Sequence, residues 1–190
     1  MTLNEPPHRP ELHFVPDTGV LEAPAGIVRD GNTWHLFHQY RPAADQPARW
    51  GHSTSEETAF EWLDCDDVLA PVGGELSLRA GSVAEGKEAL NLYFTSVTSV
   101  GTSVRLARYT DYADECVVSD DPTALDPDVV RFGEAVGAST NYDRFRSPSV
   151  VPDWAKEDRE EGHDGWLMLA LTGHSDAPVP VILDSPNGEA

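Results

Sequence analysis

The sequence holds many ionisable side chains, but their spacing eliminates most of the chemistry they could do. Seven histidines invite a metal site. His35 and His38 stand three apart in a stretch of strand character, where such a pair points to opposite faces and cannot share one ion. His163 and His174 lie in or near turn-rich stretches with no second ligand at a diagnostic spacing. Cys65 and Cys116 are too few and too far apart for a disulfide framework or a zinc knuckle, and read as two ordinary buried thiols. No Gly-rich phosphate loop and no Ser-His-Asp pattern occurs. Neither a metal nor a cofactor is therefore expected. Carboxylate chemistry remains. Glu22, in "LEAPAG" (21–26), is an acidic side chain among small and turn-forming residues, and its neighbour Ala23 offers only a methyl group.

The elements that must position these residues are strands. "TWHLFHQY" (33–40), "LNLYFTSV" (90–97), "SVRLARY" (103–109) and "GWLMLALT" (165–172) are short runs of aromatic, Leu and β-branched residues between turn formers. "RDGN" (29–32) predicts a tight hairpin joining "AGIVR" to "TWHLFH", because Asp-Gly supplies the positive φ angles such a turn needs. "EGKE" (85–88) does the same between "GSVA" and "LNLYF". Residues 112–136, punctuated by Asp and Pro, read as loop and edge strand, and 153–165 as a charged surface loop. Fifteen Pro and fifteen Gly fit a turn-dense all-β architecture, a sandwich or a propeller. The last stretch, "VPVILDSPNGEA" (179–190), is a strand and a turn with no returning strand, which reads as a truncated β-protein with an open edge.

A series of motifs narrows the choice. His13, Pro16 and Gly19 precede "VLEAPAG" (20–26), followed by "WHLFHQYRP" (34–42), "WGHSTS" (50–55), "FEWLDCDDVLAP" (60–71), "AGSV" (80–83), "NLYFTS" (91–96) and "FRSPSVV" (145–151). In order and spacing the series resembles glycoside hydrolase family 32, the β-fructofuranosidases: invertases, levanases and sucrose-6-phosphate hydrolases. The resemblance covers almost the whole chain. It implies a five-bladed β-propeller with a sugar pocket at one end of its central channel, here truncated to roughly three or four blades, so that residues 1–190 form an incomplete N-terminal propeller domain.

Members of that family are retaining enzymes, with a nucleophile and an acid/base carboxyl ~5–5.5 Å apart. The nucleophile is the Asp of an N-D-P-N-G turn, and that position is Ala23 here, preceded by Glu22 in place of Asn. A methyl group cannot form the covalent fructosyl intermediate. A second Asp, in R-D-P, holds sugar hydroxyls; "FRSP" keeps Arg146 and substitutes Ser147, which accepts a hydrogen bond but brings no charge. The acid/base Glu of an E-C-P motif belongs downstream of "FRSP", beyond Ala190. Glu115-Cys116 lies upstream of it, lacks the Pro, and reads as coincidence. Glu22 is the single candidate for a displaced nucleophile. The weightier reading makes it a supporting or solvent-facing residue, since adjacent side chains on extended backbone diverge and a ~1 Å misplacement already costs about a hundredfold in rate. The resemblance further implies sugar contacts at Gln39, Trp50, Ser82, Arg146 and Ser147. Trp50 serves equally well as core packing, and Arg146 as a structural ion pair.

Bulk properties restrict the partners. Thirteen Lys and Arg against 33 Asp and Glu give a net charge of −20, which argues against nucleic acid and anionic membranes. No positive and apolar leader and no membrane-length apolar run occurs, so a soluble, cytoplasmic protein is expected. Its partner is a small sugar, sucrose or another β-fructoside, and open propeller edges favour self-association. Three readings stay open: a β-fructofuranosidase of lost activity, a non-catalytic fructoside-binding or sugar-sensing module, and a non-functional gene remnant or excised fragment.

Overall fold

The computed structural model describes residues 14–86, 89–110, 115–118, 144–153, 157–158, 162–163, 165–173 and 177–186. All regular elements among them are strands. β1 (Val20–Asp30), β2 (Thr33–Arg41), β3 (Arg49–Glu56) and β4 (Leu63–Asp64) form one antiparallel meander. β5 (Glu75–Glu85), β6 (Leu90–Thr98), β7 (Thr102–Thr110) and β8 (Glu115–Val118) form a second. In the third, β9 (Arg146–Pro152) pairs with β12 (Trp166–Thr172), which pairs with β13 (Val179–Ser185). Between β9 and β12 a small hairpin, β10 (Glu157–Asp158) with β11 (Gly162–His163), occupies the expected charged loop. The three meanders are three blades. Their first strands neighbour one another, β1 against β5 and β5 against β9, as in a propeller in which each blade starts at the axis.

Both predicted hairpins form. In the first, Asp30 pairs with Thr33 across Gly31 and Asn32. Only Gly31 takes a positive φ (57°), so the turn depends on the glycine, with Asp30 in the strand. In the second, Glu85 pairs with Leu90, and the Gly86 amide donates to the Ala89 carbonyl at 2.9 Å. Two expectations change. "LEAPAG" is bulged strand rather than tight turn, with register shifts between Leu21 and Ala23 and between Pro24 and Gly26. Cys65 is exposed rather than buried. His13, His174, the Cys116 side chain and most of 112–136 lie outside the described residues, while Glu115–Val118 forms the expected edge strand.

Alternation along the strands divides the apolar residues between two cores. Ala25, Phe37 and Trp50 of blade 1 face Leu78, Leu92, Phe94 and Tyr109 of blade 2. Tyr93, Val104 and Leu106 on the opposite face of blade 2 meet Phe145, Val150, Met168 and Ala170 of blade 3. Close approach is required at the first interface. A side chain at Gly26 would place its Cβ 2.7 Å from Cβ and Cγ2 of Val83, so blade 1 reaches β5 only with glycine there.

Trp50 anchors the first core. Its ring is 0% exposed, lies edge-on to Phe94 at 6.4 Å, and its Nε1 donates to the Arg79 carbonyl at 3.1 Å. Trp50→Ala should cost about 3–5 kcal/mol in urea denaturation, with loss of both the ring volume and the indole hydrogen bond. A loss below about 1 kcal/mol would show that the ring packs peripherally.

Candidate functional site

The residues singled out in the sequence are spread over several strands: Glu22 and Ala23 near the start of β1, Gln39 near the end of β2, Trp50 early in β3, Ser82 late in β5, and Arg146 and Ser147 at the start of β9. Ala23 lies opposite Gln39 in the β1–β2 ladder. The bulge between Leu21 and Ala23 takes Glu22 out of the ladder, and a bulge re-aims a side chain. Strict alternation therefore fails at this point. Glu22 does not diverge from the Gln39 side chain but accepts a hydrogen bond from its Nε2. The same carboxylate meets Arg41 Nε at 2.6 Å.

Gln39 thus spans two blades. Its Nε2 donates to Glu22, while its Oε1 accepts from the Ala80 amide of β5 at 2.6 Å. The other implied contacts have similar internal partners. Ser82 Oγ accepts from the Val150 amide at 3.0 Å, tying blade 2 to blade 3. The Ser147 amide donates to Thr95 Oγ1 at 2.8 Å, a second tie between the same blades. Arg146 Nη1 donates to the Gly173 carbonyl at 2.7 Å and the Arg144 carbonyl at 3.2 Å, two turn carbonyls of its own blade. Trp50 is enclosed in the core and presents no ring face to a ligand.

Ser147 departs from this pattern. It is exposed, with φ at 55°, a left-handed conformation unusual for a non-glycine residue. Such backbone outliers cluster at sites of function. Glu115 is far removed, on the outermost strand of blade 2, with β6 and β7 between it and β5.

Several partnerships were not anticipated from the sequence. Arg41, which neutralises Glu22, and Thr95, which fixes Ser147, drew no notice because their roles depend on cross-strand and cross-blade placement. His52 went unremarked within "WGHSTS". It meets His35 with Nδ1 and Nε2 3.0 Å apart, on the buried face where both rings pack near Tyr109. Since Phe37 pairs with His52, His35 is its diagonal neighbour, a relation that strand register would have revealed. Among the described residues no group of three or more His, Cys, Asp or Glu could hold a metal ion.

The outer face of blade 1 carries the perturbed groups. Tyr40 donates to Asp67, which also receives Arg49 Nη1 at 3.0 Å. Burial, then that hydrogen bond and the Asp67 charge, push the Tyr40 phenol up to about 12. Burial holds His38 below its ordinary 6.5, opposed by the charges of Asp64 and Asp67.

Three blades of antiparallel meander, packed face to face with their first strands adjacent, define a β-propeller-type fold. The chain belongs to the family described as "Glycosyl hydrolases family 32 N-terminal domain", whose model matches residues 13–169. An invertase of Debaryomyces hansenii is 26% identical over 85% of this chain and 30% of its own length. A levanase of Bacillus subtilis is 38% identical over 87% of this chain and 23% of its own. Among solved structures, sucrose-6-phosphate hydrolase from Lactobacillus gasseri superposes with a TM-score of 0.73 at 17% identity, covering 98% of this chain and 36% of that one. Fructan 1-exohydrolase IIa from Cichorium intybus gives 0.71 at 20% identity, over 97% and 33%. The chain thus spans about a third or less of the length of these relatives, and its lineage is that of the invertases and β-fructofuranosidases.

The lowered His38 sets a pH dependence. Its unfolded form takes up a proton near 6.5 more readily than its folded form. The stability it leaves intact above 6.5 should therefore fall as pH drops through that value towards the lower folded one. Urea midpoints measured across this window should decline for the native chain and decline less for His38→Gln. Equal slopes would place the titration elsewhere.

Proposed function

We propose that this 190-residue chain is a β-fructofuranosidase-lineage protein that does not itself hydrolyse β-fructosides. The observation that carries this reading is the pairing of Ala23 with a restrained Glu22. The residue at the nucleophile position has only a methyl group, and the neighbouring carboxylate is engaged by Arg41 and Gln39. An attacking carboxylate needs a free lone pair directed at the anomeric carbon, with a protonated carboxyl on the other side of the bond. Glu22 spends its oxygens on an ion pair and an amide. The commitment of Gln39, Ser82 and Trp50 to holding blades together supports the same conclusion, because each would have to give up an internal contact to meet a sugar.

A second reading is favoured by Ser147. It is exposed and held at a positive φ beside Arg146 at the start of β9. Weak recognition of a fructosyl unit there, with sucrose as the simplest ligand, would make the chain a binding module. Under either reading the partner is a small sugar rather than nucleic acid or a membrane, and the compartment is the cytoplasm.

Calorimetric titration with sucrose and fructose, run beside a reducing-sugar assay on the same samples, separates these readings. The expected outcome is no release of reducing sugar, with binding absent or weaker than about millimolar, at most ~4 kcal/mol. Saturable binding lost in Ser147→Ala would establish the second reading. Hydrolysis abolished by Glu22→Gln would overturn both and make Glu22 a displaced nucleophile.

A further inference from the structure

β5 is the first strand of the middle blade, with blade 1 on one side and blade 3 on the other. Arg79 stands on it where contacts to both sides meet. Towards blade 1, its carbonyl accepts from Trp50 Nε1, and the next amide, of Ala80, donates to Gln39, which lies across from Ala23. Towards blade 3, Arg79 lies opposite Thr95 in the β5–β6 ladder, and Thr95 Oγ1 receives the Ser147 amide. Opposite residues of an antiparallel pair put their side chains on one face. The Arg79 side chain therefore stands on the face that meets Ser147. β9 lies close along this stretch: a Cβ at Gly81 would come within 2.9 Å of Pro148 Cγ, and Ser82 Oγ holds the Val150 amide.

Charge sets Arg79 apart from its neighbours. Arg41, Arg49 and Arg105 are each paired with a carboxylate. Arg79 is exposed, and among the described residues its guanidinium meets no carboxylate and makes no hydrogen bond. The two positions at which the family's motifs place Asp are Ala23 and Ser147 here, so neither offers it a counter-charge. Glu22 is already neutralised by Arg41. An unpaired guanidinium flanked by two sites that lack the carboxylate favours a ligand that brings its own. The planar fork of Arg takes a carboxylate through two parallel hydrogen bonds.

We infer that Arg79 and Ser147 take a monosaccharide carrying a carboxylate, with the acid on Arg79 and a ring hydroxyl on Ser147. The inference rests on the reading of Ser147 as a sugar contact and adds the charge of the ligand. The fold uses the Arg79 carbonyl, not its guanidinium, so the side chain is available without loss of the Trp50 hydrogen bond. The −20 charge of the chain repels a polyanion as a whole, whereas one guanidinium suits one carboxylate.

Calorimetric titration of the 190-residue chain with D-fructuronate and with fructose, which differ only in a carboxylate against a hydroxymethyl at C6, provides the test. In about 20 mM salt, where charges are weakly screened, fructuronate should bind at least about tenfold more tightly than fructose. In about 1 M salt, where the Debye length is ~3 Å, the preference should fall to about threefold or less. Arg79→Gln should bring the two affinities together without changing that of fructose, and Arg79→Lys should keep part of the difference. Ser147→Ala should weaken both ligands by the same factor. Equal binding of the two sugars by the native chain would overturn this inference and leave Ser147 as a fructosyl contact. Binding of neither would remove both. A preference that survives Arg79→Gln would overturn it by placing the cation elsewhere. So would acetate competing as strongly as fructuronate, which would mark a charge contact without a sugar site.

Discussion

Blade 1 can lie on blade 2 only because residue 26 has no side chain. Everything else at that interface depends on the resulting closeness of β1 and β5. At this separation the Trp50 indole reaches the Arg79 carbonyl, and the Gln39 amide reaches Ala80 while still holding Glu22. A wider gap would leave the indole N–H and the amide oxygen buried without partners, and an unmade buried hydrogen bond costs about 1–3 kcal/mol. Apolar packing and polar satisfaction are therefore coupled through one glycine. The second interface repeats the arrangement with Ser82 and Thr95 as the polar members.

Of the polar residues that the motif series implies for sugar recognition, Gln39 and Ser82 join the blades through their side chains and Ser147 through its amide. Hydrogen bonding at the beginning of the first strands is largely internal, and the local charge is balanced by pairs such as Arg41 with Glu22 and Arg105 with Glu75. Glu75 illustrates a carboxylate that is structural without ambiguity: it accepts from Ser96 Oγ at 2.6 Å, Arg105 at 3.0 Å and the Val72 amide at 3.0 Å. Glu22 lies between that case and a free side chain. It is restrained at both oxygens yet remains at the surface.

Much of the fold was legible in the chain. β2, β6, β7 and β12 coincide within a residue or so with runs of aromatic and branched residues, because half-buried strands select such residues. β3 was hidden, since "RWGHSTS" is mostly small and polar; Ser53 and Ser55 are buried through side-chain bonds to Asp64 and the Thr58 carbonyl. The first half of β5 was also missed. The site was less legible. That "LEAPAG" carries a bulge, and that the bulge turns Glu22 back towards Gln39, depends on pairing with β2 and cannot be read from local propensity. Trp50 looked equally suited to a pocket wall and to a core, and only the presence of Phe94 across the interface decides between them.

Serial stacking also shapes the mechanics of the molecule. Among the described residues blades 1 and 3 each lean on blade 2, and blade 2 alone has an apolar cluster on both faces. Its middle strand, β6, is hydrogen-bonded to β5 on one side and β7 on the other, with Leu92, Tyr93 and Phe94 alternately supplying the two clusters. In a nearly one-dimensional array, cooperativity passes only between neighbours. The outer blades can open singly while the central one persists, so amide protons along β6 should be the last to exchange with solvent.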